Sequence, residues 1–249
     1  MTALILSSLA ILGAICASFV GVVAERAYTG QSWKRGRSRC NSCRQSLGAR
    51  DLLPAVSWFA YRGRCRMCRS KVPVRYAVSE IALAALFVLS YLHLGLGLPL
   101  VLFLSFLCVL SFVVIYDLHH HIVPLPASAL LILIALAYML TTASTIAHLE
   151  FTLLVAALVA LFFFSLYFFS RGRAMGLGDT PVAFALSLLS GSTAIAGLFF
   201  SFWVGAVIGI AILVSRPGGP RMGIEVPFVP FLAIGFLLAF FTQWNPLPF

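Results

Sequence analysis

The sequence predicts an all-α integral membrane protein of about eight transmembrane helices, with a small cytoplasmic four-cysteine insertion between helices 1 and 2. Three observations predict it. Of 249 residues, 61% are hydrophobic and 10% are charged, against roughly 25% charged in a soluble domain. Apolar runs near the length that crosses a hydrocarbon core of about 30 Å recur along the chain. The basic residues are clustered: 13 of the 17 Lys and Arg lie between Arg26 and Arg75.

The net charge of +10 resembles a nucleic-acid signal, but its distribution argues for membrane topology instead. Basic residues gathered between apolar spans mark cytoplasmic loops. The partners expected on this ground are a lipid bilayer and no nucleic acid.

The first span, 1–24, is not a cleaved secretory signal. Met1-Thr2-Ala3 carries no basic residue, and the apolar run to Ala24 outlasts a typical signal core. Positive charge follows the run, so the amino terminus is expected outside. Segment 25–76 is the one long polar insertion and reads as a cytoplasmic domain. Residues 77–249 then form a seven-helix core, giving spans near 3–24, 77–96, 98–117, 125–143, 150–170, 180–192, 193–214 and 227–243. The sixth and seventh are divided at the polar turn Ser190-Gly191-Ser192. Alternation through eight spans places every Lys and Arg inside. A seven-span topology would put Arg216 and Arg221 outside, so charge bias favours eight. No internal repeat, low-complexity tract or heptad pattern stands out. The aromatic stretch Phe162 to Phe169 reads as lipid-facing or packing.

Within the insertion, Cys40-Asn41-Ser42-Cys43 and Cys65-Arg66-Met67-Cys68 form two C-x-x-C pairs. Each can place two thiolates on one tetrahedral ion. Zinc suits four sulfur ligands. Two disulfides or free thiols are the alternatives, and a reducing cytoplasm disfavours the former. Four sulfurs leave no open position for water, so the expected role is structural. Cys16 and Cys108, inside predicted spans, read as small apolar residues.

Only seven acidic residues occur: Glu25, Asp51, Glu80, Asp117, Glu150, Asp179 and Glu225. Asp117 closes the third span. Asp179 follows Gly176-Leu177-Gly178 just before the sixth. Both fall at the cytoplasmic boundary. A lone Asp at a span end is ordinarily interfacial, and that reading stays open. Two at one depth can also share a proton, one activating water while the other polarises a peptide carbonyl. A third reading, a proton-coupled transporter, would favour carboxylates nearer the bilayer midplane. Thr180-Pro181 suggests a helix N-cap followed by Pro at the first position. Its positive end would favour charge on Asp179, making Asp179 the base and Asp117 the proton carrier. His119, His120 and His121 read as a polar turn in preference to a second metal site. Glu80, one turn into the second span, needs a partner there and could pair with Arg75 or line the active cavity. His93, His148 and Glu150 read as interfacial.

These residues together resemble the bacterial type IV prepilin peptidases, membrane aspartyl proteases with a G-x-G-D motif. The resemblance spans nearly the whole chain. Ala17-Ser18-Phe19 with Val22, Val23 and Arg26 is similar to the family's N-terminal motif. Leu53-Pro54, Ser57-Trp58, Arg62-Gly63-Arg64-Cys65 and Cys68 resemble its cysteine domain. Arg75-Tyr76 with Glu80 resembles R-Y-P-x-x-E. Asp117 with Ile122, Val123 and Pro124 resembles the first catalytic motif, and Gly176-Leu177-Gly178-Asp179 matches the second. Pro227-Phe228-Val229-Pro230-Phe231 resembles P-F-G-P.

The resemblance implies Asp117 and Asp179 as the catalytic pair, supported by Gly176, Gly178 and Glu80. It implies Cys40, Cys43, Cys65 and Cys68 as zinc ligands. The implied substrates are prepilins or pseudopilins of type IV pilus and type II secretion systems, cut after a glycine ahead of their apolar helix. Methylation of the new amino terminus with S-adenosylmethionine would follow in many members. The expected location is the bacterial inner membrane. The family pattern is broken at Ala17, Gly21, Leu125, Arg173 and Pro181, changes that bear on substrate preference and methyl transfer. A non-enzymatic scaffold whose cysteine domain binds a partner is the competing reading from another class.

Overall fold

The computed structural model describes residues 2–29, 32, 36, 38–173, 175–215 and 227–244. Arg216, Arg221 and Glu225, used above for topology and the acidic inventory, lie outside the described residues. No strand occurs among the described residues. Helix is the expected outcome for apolar segments in lipid, where each backbone N–H and C=O must be satisfied within its own segment.

The chain divides into two compact units, Met1–Leu96 and Gly97–Phe249. The division by composition (1–24, 25–76, 77–249) cuts elsewhere: the helix read as the start of the core belongs to the first unit. That unit holds α1 (Thr2–Thr29), a 3-10 turn (Ala49–Leu52), α2 (Val56–Ala60) and α3 (Val74–Leu94). Helices α1 and α3 pack together, and a glycine permits their closest approach. A Cβ on Gly13 would stand 2.8 Å from the Leu83 carbonyl oxygen and 2.9 Å from the Ala84 Cα. Small residues at such crossings bring membrane helices into van der Waals contact.

The second unit contains α4 (Leu98–His120), α5 (Leu125–Thr142), α6 (Ile146–Ser170), α7 (Asp179–Ser190), α8 (Ala194–Val214) and α9 (Val229–Thr242). Helix α7 is its centre: Val182, Ala183, Ala185 and Leu186 are fully buried, and α5, α6, α8 and α9 pack around it. Large apolar side chains such as Leu133, Leu158 and Trp203 face outward, as a lipid-facing surface requires. The α8–α9 crossing also depends on a glycine, since a Cβ on Gly235 would stand 2.3 Å from the Ser201 amide nitrogen.

Among the described residues, six stretches are long and apolar enough to cross a membrane: α1, α3, α4, α5, α6 and the run Asp179–Val214. The protein is a multi-pass, all-α membrane protein. Within that last run α7 and α8 are separate helices, divided by a turn at Gly191–Thr193, where the sequence placed it. Helix α7 has 12 residues, about 18 Å at 1.5 Å per residue. It is short against a hydrocarbon core of about 30 Å.

Candidate active site and candidate metal centre

One end of the second unit gathers the carboxyl end of α4, the amino end of α7 and the amino end of α9. Asp117 lies in the last turn of α4, and the helix stops four residues later at His121. His121 takes a left-handed conformation, φ 53°, and its N–H bonds the Asp117 carbonyl oxygen at 2.8 Å. This closes the helix by an αL cap. His119 and His120 are the final helical residues, with the Tyr116 and His120 rings 4.7 Å apart. The histidine run is thus a helix end. Among the described residues, the one group arranged to hold a metal is the cysteine cluster.

Asp179 is the first residue of α7, with Gly178 as the N-cap. This corrects the expectation that Thr180 caps the helix and Pro181 opens it. Pro181 sits at the third helical position, where its missing N–H is still outside the intrahelical ladder. The Thr180 hydroxyl is buried without a hydrogen-bond partner among the described residues.

The two acids are brought together. Both are buried, Asp117 at 5% exposure and Asp179 at 7%. The charge of the Asp117 carboxyl reaches that of Asp179. The Val229 backbone amide faces the Asp117 carboxyl, and the Gly176 amide faces that of Asp179. Asp117 Oδ2 is buried and has no hydrogen-bond partner among the described residues. Each carboxyl therefore meets a helix amino terminus, α9 for Asp117 and α7 for Asp179. Helix ends therefore do not distinguish Asp179 as the base from Asp117 as the proton carrier, contrary to what the sequence led us to expect.

The glycine loop is held by contact. A Cβ on Gly178 would stand 2.7 Å from the Val123 Cβ, closer than atoms approach. The absence of that atom lets the G-x-G-D turn rest on the residue that follows α4. Gly176 is under no such constraint: a Cβ there would stand 3.7 Å from Asp179 Oδ2, an ordinary contact. Val229 is a participant that side-chain reasoning missed. It contributes a backbone N–H, which any residue except proline carries.

In the first unit, Cys40, Cys43, Cys65 and Cys68 place their sulfurs within 4.8 Å of one another and could hold a metal ion. The Cys40–Cys68 sulfur separation is 3.8 Å, close to the edge of a tetrahedron with metal–sulfur bonds of about 2.3 Å. Each pair sits in a matching knuckle. Cys40 and Cys65 N–H groups bond the carbonyls of Gln45 and Ser70, both at 2.9 Å. Arg44 and Arg69 take left-handed conformations, φ 57° and 55°. Bridges Arg39–Ser46 and Arg64–Lys71 close the two turns. The underlying sequences, R-C-x-x-C-R at 39–44 and 64–69, are a short internal repeat. At six residues each, the two copies are too brief to stand out as a repeat in the sequence. The amides of Cys43 and then Ser42 lower the Cys40 thiol to about 6. The Ser70 hydroxyl lowers that of Cys68. These two shifts favour the thiolate that binds metal, whereas the Cys43 thiol is pushed up to about 11, the lowering by the Gln45 amide being outweighed by burial and the neighbouring Cys68 and Cys40 sulfurs.

Glu80 is not paired with Arg75. Its Oε2 accepts a 2.6 Å hydrogen bond from the Ala55 backbone N–H. Arg75 lies 3.9 Å from Glu25, whose carboxylate also accepts from the Tyr76 hydroxyl.

Comparison with known proteins now bears on this arrangement. Residues 11–94 match the Bacterial Peptidase A24 N-terminal domain and residues 101–214 match the Type IV leader peptidase family. A prepilin leader peptidase/N-methyltransferase of Dichelobacter nodosus is 30% identical over 211 residues, covering 82% of this chain and 70% of that protein. The chain belongs to the type IV leader peptidase family. Another relative, a prepilin leader peptidase/N-methyltransferase of Bacillus subtilis (strain 168), is 28% identical over 94% of this chain and 93% of its own length. No solved structure matches the chain. Membership makes this enzyme an aspartic peptidase of the prepilin leader peptidase type. The two family matches fall one in each compact unit.

Proposed function

We propose that this leader peptidase uses Asp117 and Asp179 to cut the basic leader from prepilin- or pseudopilin-like substrates at the cytoplasmic face of the bacterial inner membrane. The observation that carries the reading is the buried pair itself. Two carboxyls from separate helices interact at one end of the second unit, although burying even one unpaired charge is costly. Two such carboxyls retain one proton between them. The ionised partner takes a proton from water as the water attacks the scissile carbonyl. The protonated partner donates to the carbonyl oxygen, and the nitrogen of the leaving peptide is protonated as the tetrahedral intermediate breaks down. No bond forms between enzyme and substrate.

The clustering of Lys and Arg at 26–75 supports an outside amino terminus and a cytoplasmic first-unit loop resting against anionic lipid headgroups. We assign zinc to the four cysteines as a structural ion, since four thiolates fill its shell. The names of both relatives include N-methyltransferase. We extend that activity to this chain, with S-adenosylmethionine as methyl donor to the new amino terminus.

Co-expression with a prepilin-like substrate tests the reading. Mass spectrometry of the product should show cleavage after the glycine ahead of the apolar helix and the added mass of one methyl group. A substrate left intact by a correctly inserted enzyme refutes the peptidase assignment. A cleaved but unmethylated product refutes methyl transfer alone.

A further inference from the structure

We infer that residues 52–59 of the cysteine insertion are embedded in the membrane, at the headgroup–acyl boundary of the leaflet where α1 ends and α3 begins. The sequence alone reads the whole of 25–76 as a domain in water. Two contacts within the first unit place this stretch deeper. The Ala55 N–H bonds the Glu80 carboxylate, and Glu80 stands in the second turn of α3, itself long and apolar enough to span. Leu52 and Pro54 share a groove with Ile15, Phe19 and Val22 of α1. The polar boundary of the two spans is marked by Glu25, which is held by Arg75 and the Tyr76 hydroxyl. Glu80 lies four residues beyond Tyr76 along α3, and Phe19 lies six residues before Glu25 along α1. At 1.5 Å per residue these contacts fall about 6 Å and about 9 Å to the apolar side of that boundary. Membrane segments that lie in the interface bury their apolar face by about 5–10 Å.

The stretch is built for such a position. Leu52, Leu53, Val56 and Phe59 are exposed, the last two at 62% and 60%. Trp58 turns the other way and donates to the Val72 carbonyl. Large apolar side chains grouped on an exposed surface mark a place of contact. A segment that enters lipid must also satisfy its backbone N–H groups. Ser57 and Phe59 donate to the carbonyls of Leu53 and Ala55, both at 3.1 Å. Pro54 has no N–H, and Glu80 takes the Ala55 N–H at the start of α2, where a helix leaves its first donors over. The carboxylate of Glu80, costly at this depth without a partner, is thereby matched to a backbone donor that needs one.

Charge selects the bilayer as the occupant of this face. Residues 1–96 contain 13 basic residues and three acidic ones, Glu25, Asp51 and Glu80. All three acids line the cavity of the unit. Arg50 and Arg62, which flank the apolar stretch, are exposed. An anionic leaflet offers phosphates to such arginines and acyl chains to the side chains between them. A basic leader peptide, or the same face of a second copy, would set cation against cation. Attachment to α1 and α3 keeps the stretch at the membrane surface without further binding energy. That the leaflet is the cytoplasmic one rests on the orientation proposed above.

The test uses the full-length protein in nanodiscs of phosphatidylcholine and phosphatidylglycerol. An environment-sensitive fluorescent amino acid replaces Phe59 or, as a lipid-facing reference in α3, Val78, which is also exposed. Bromine on the upper acyl chains should quench the label at position 59 by at least about half as much as at position 78, and aqueous iodide should quench both weakly. Bound metal and thermal midpoint confirm the fold, and if the label at 59 disturbs it, the same label at Val56 decides. A label quenched by iodide and not by bromolipid faces water, and one shielded from both is covered by protein; either result overturns the inference. Orientation is read separately, by an impermeant amine reagent that should modify Lys71 in inside-out vesicles and not in right-side-out ones. The reverse pattern removes the cytoplasmic assignment and leaves the embedded depth standing.

Discussion

Gly178 sets the position of the second acid by what it lacks. Its missing side chain leaves room for Val123, whose Cβ would be 2.7 Å from an added methyl group. Gly178→Ala should therefore displace the turn that carries Asp179 and lower kcat/KM at least about tenfold, a loss of roughly 1.4 kcal/mol in transition-state binding. Adding Val123→Ala should recover part of the loss, because the two substitutions share one contact. Steady-state cleavage rates of the single and double variants check this, and strict additivity contradicts it. The shared depth of the two acids was legible from the span boundaries, but an Asp at a span end is ordinarily interfacial, and the resemblance to the G-x-G-D family is what singled the pair out. The Val229 amide was not legible, because every residue except proline carries that donor. Nor was the partner of Glu80, since the Ala55 amide reaches it from a loop 25 residues away.

Helices and knuckles are held by different means, and each can be broken separately. The α8–α9 crossing has no room for a side chain at Gly235, whose Cβ would lie 2.3 Å from the Ser201 nitrogen and hydroxyl. Gly235→Ala should destabilise the second unit by about 1–3 kcal/mol through overpacking. The fall in thermal midpoint in detergent measures it, and an unchanged midpoint contradicts the crossing. The cysteine knuckles contain only isolated bridges and short turns, too little core for independent stability without a bound ion. Chelation should make all four knuckle thiols reactive to a thiol reagent and open residues 38–72 to protease, and metal should reverse both. Protection that survives metal removal contradicts a structural ion. Helix positions were readable because apolar runs must pair their own backbone in lipid. The start of α7 was misread because Thr-Pro suits a helix opening whether it stands at the cap or two residues inside the first turn.

At the scale of the molecule, the two family matches and the two compact units divide the chain at the same place, between residues 94 and 101. Composition did not reveal that division, because α3, like the helices of the second unit, is long and apolar enough to cross a membrane, and only its packing against α1 assigns it. Nor did the sequence reveal that all three acids of the first unit face one cavity, which depends on how the knuckles fold back. The peptidase chemistry requires a separate convergence, three helix termini meeting at one end of the second unit around Asp117 and Asp179. The most direct test is peptide cleavage by purified protein in nanodiscs carrying Asp117→Asn or Asp179→Asn, with helix content and bound metal measured alongside. Each single variant should lose at least about a hundredfold in kcat, the scale of removing one member of an acid–base pair. Either variant retaining more than about a tenth of wild-type activity would contradict the paired-carboxylate mechanism.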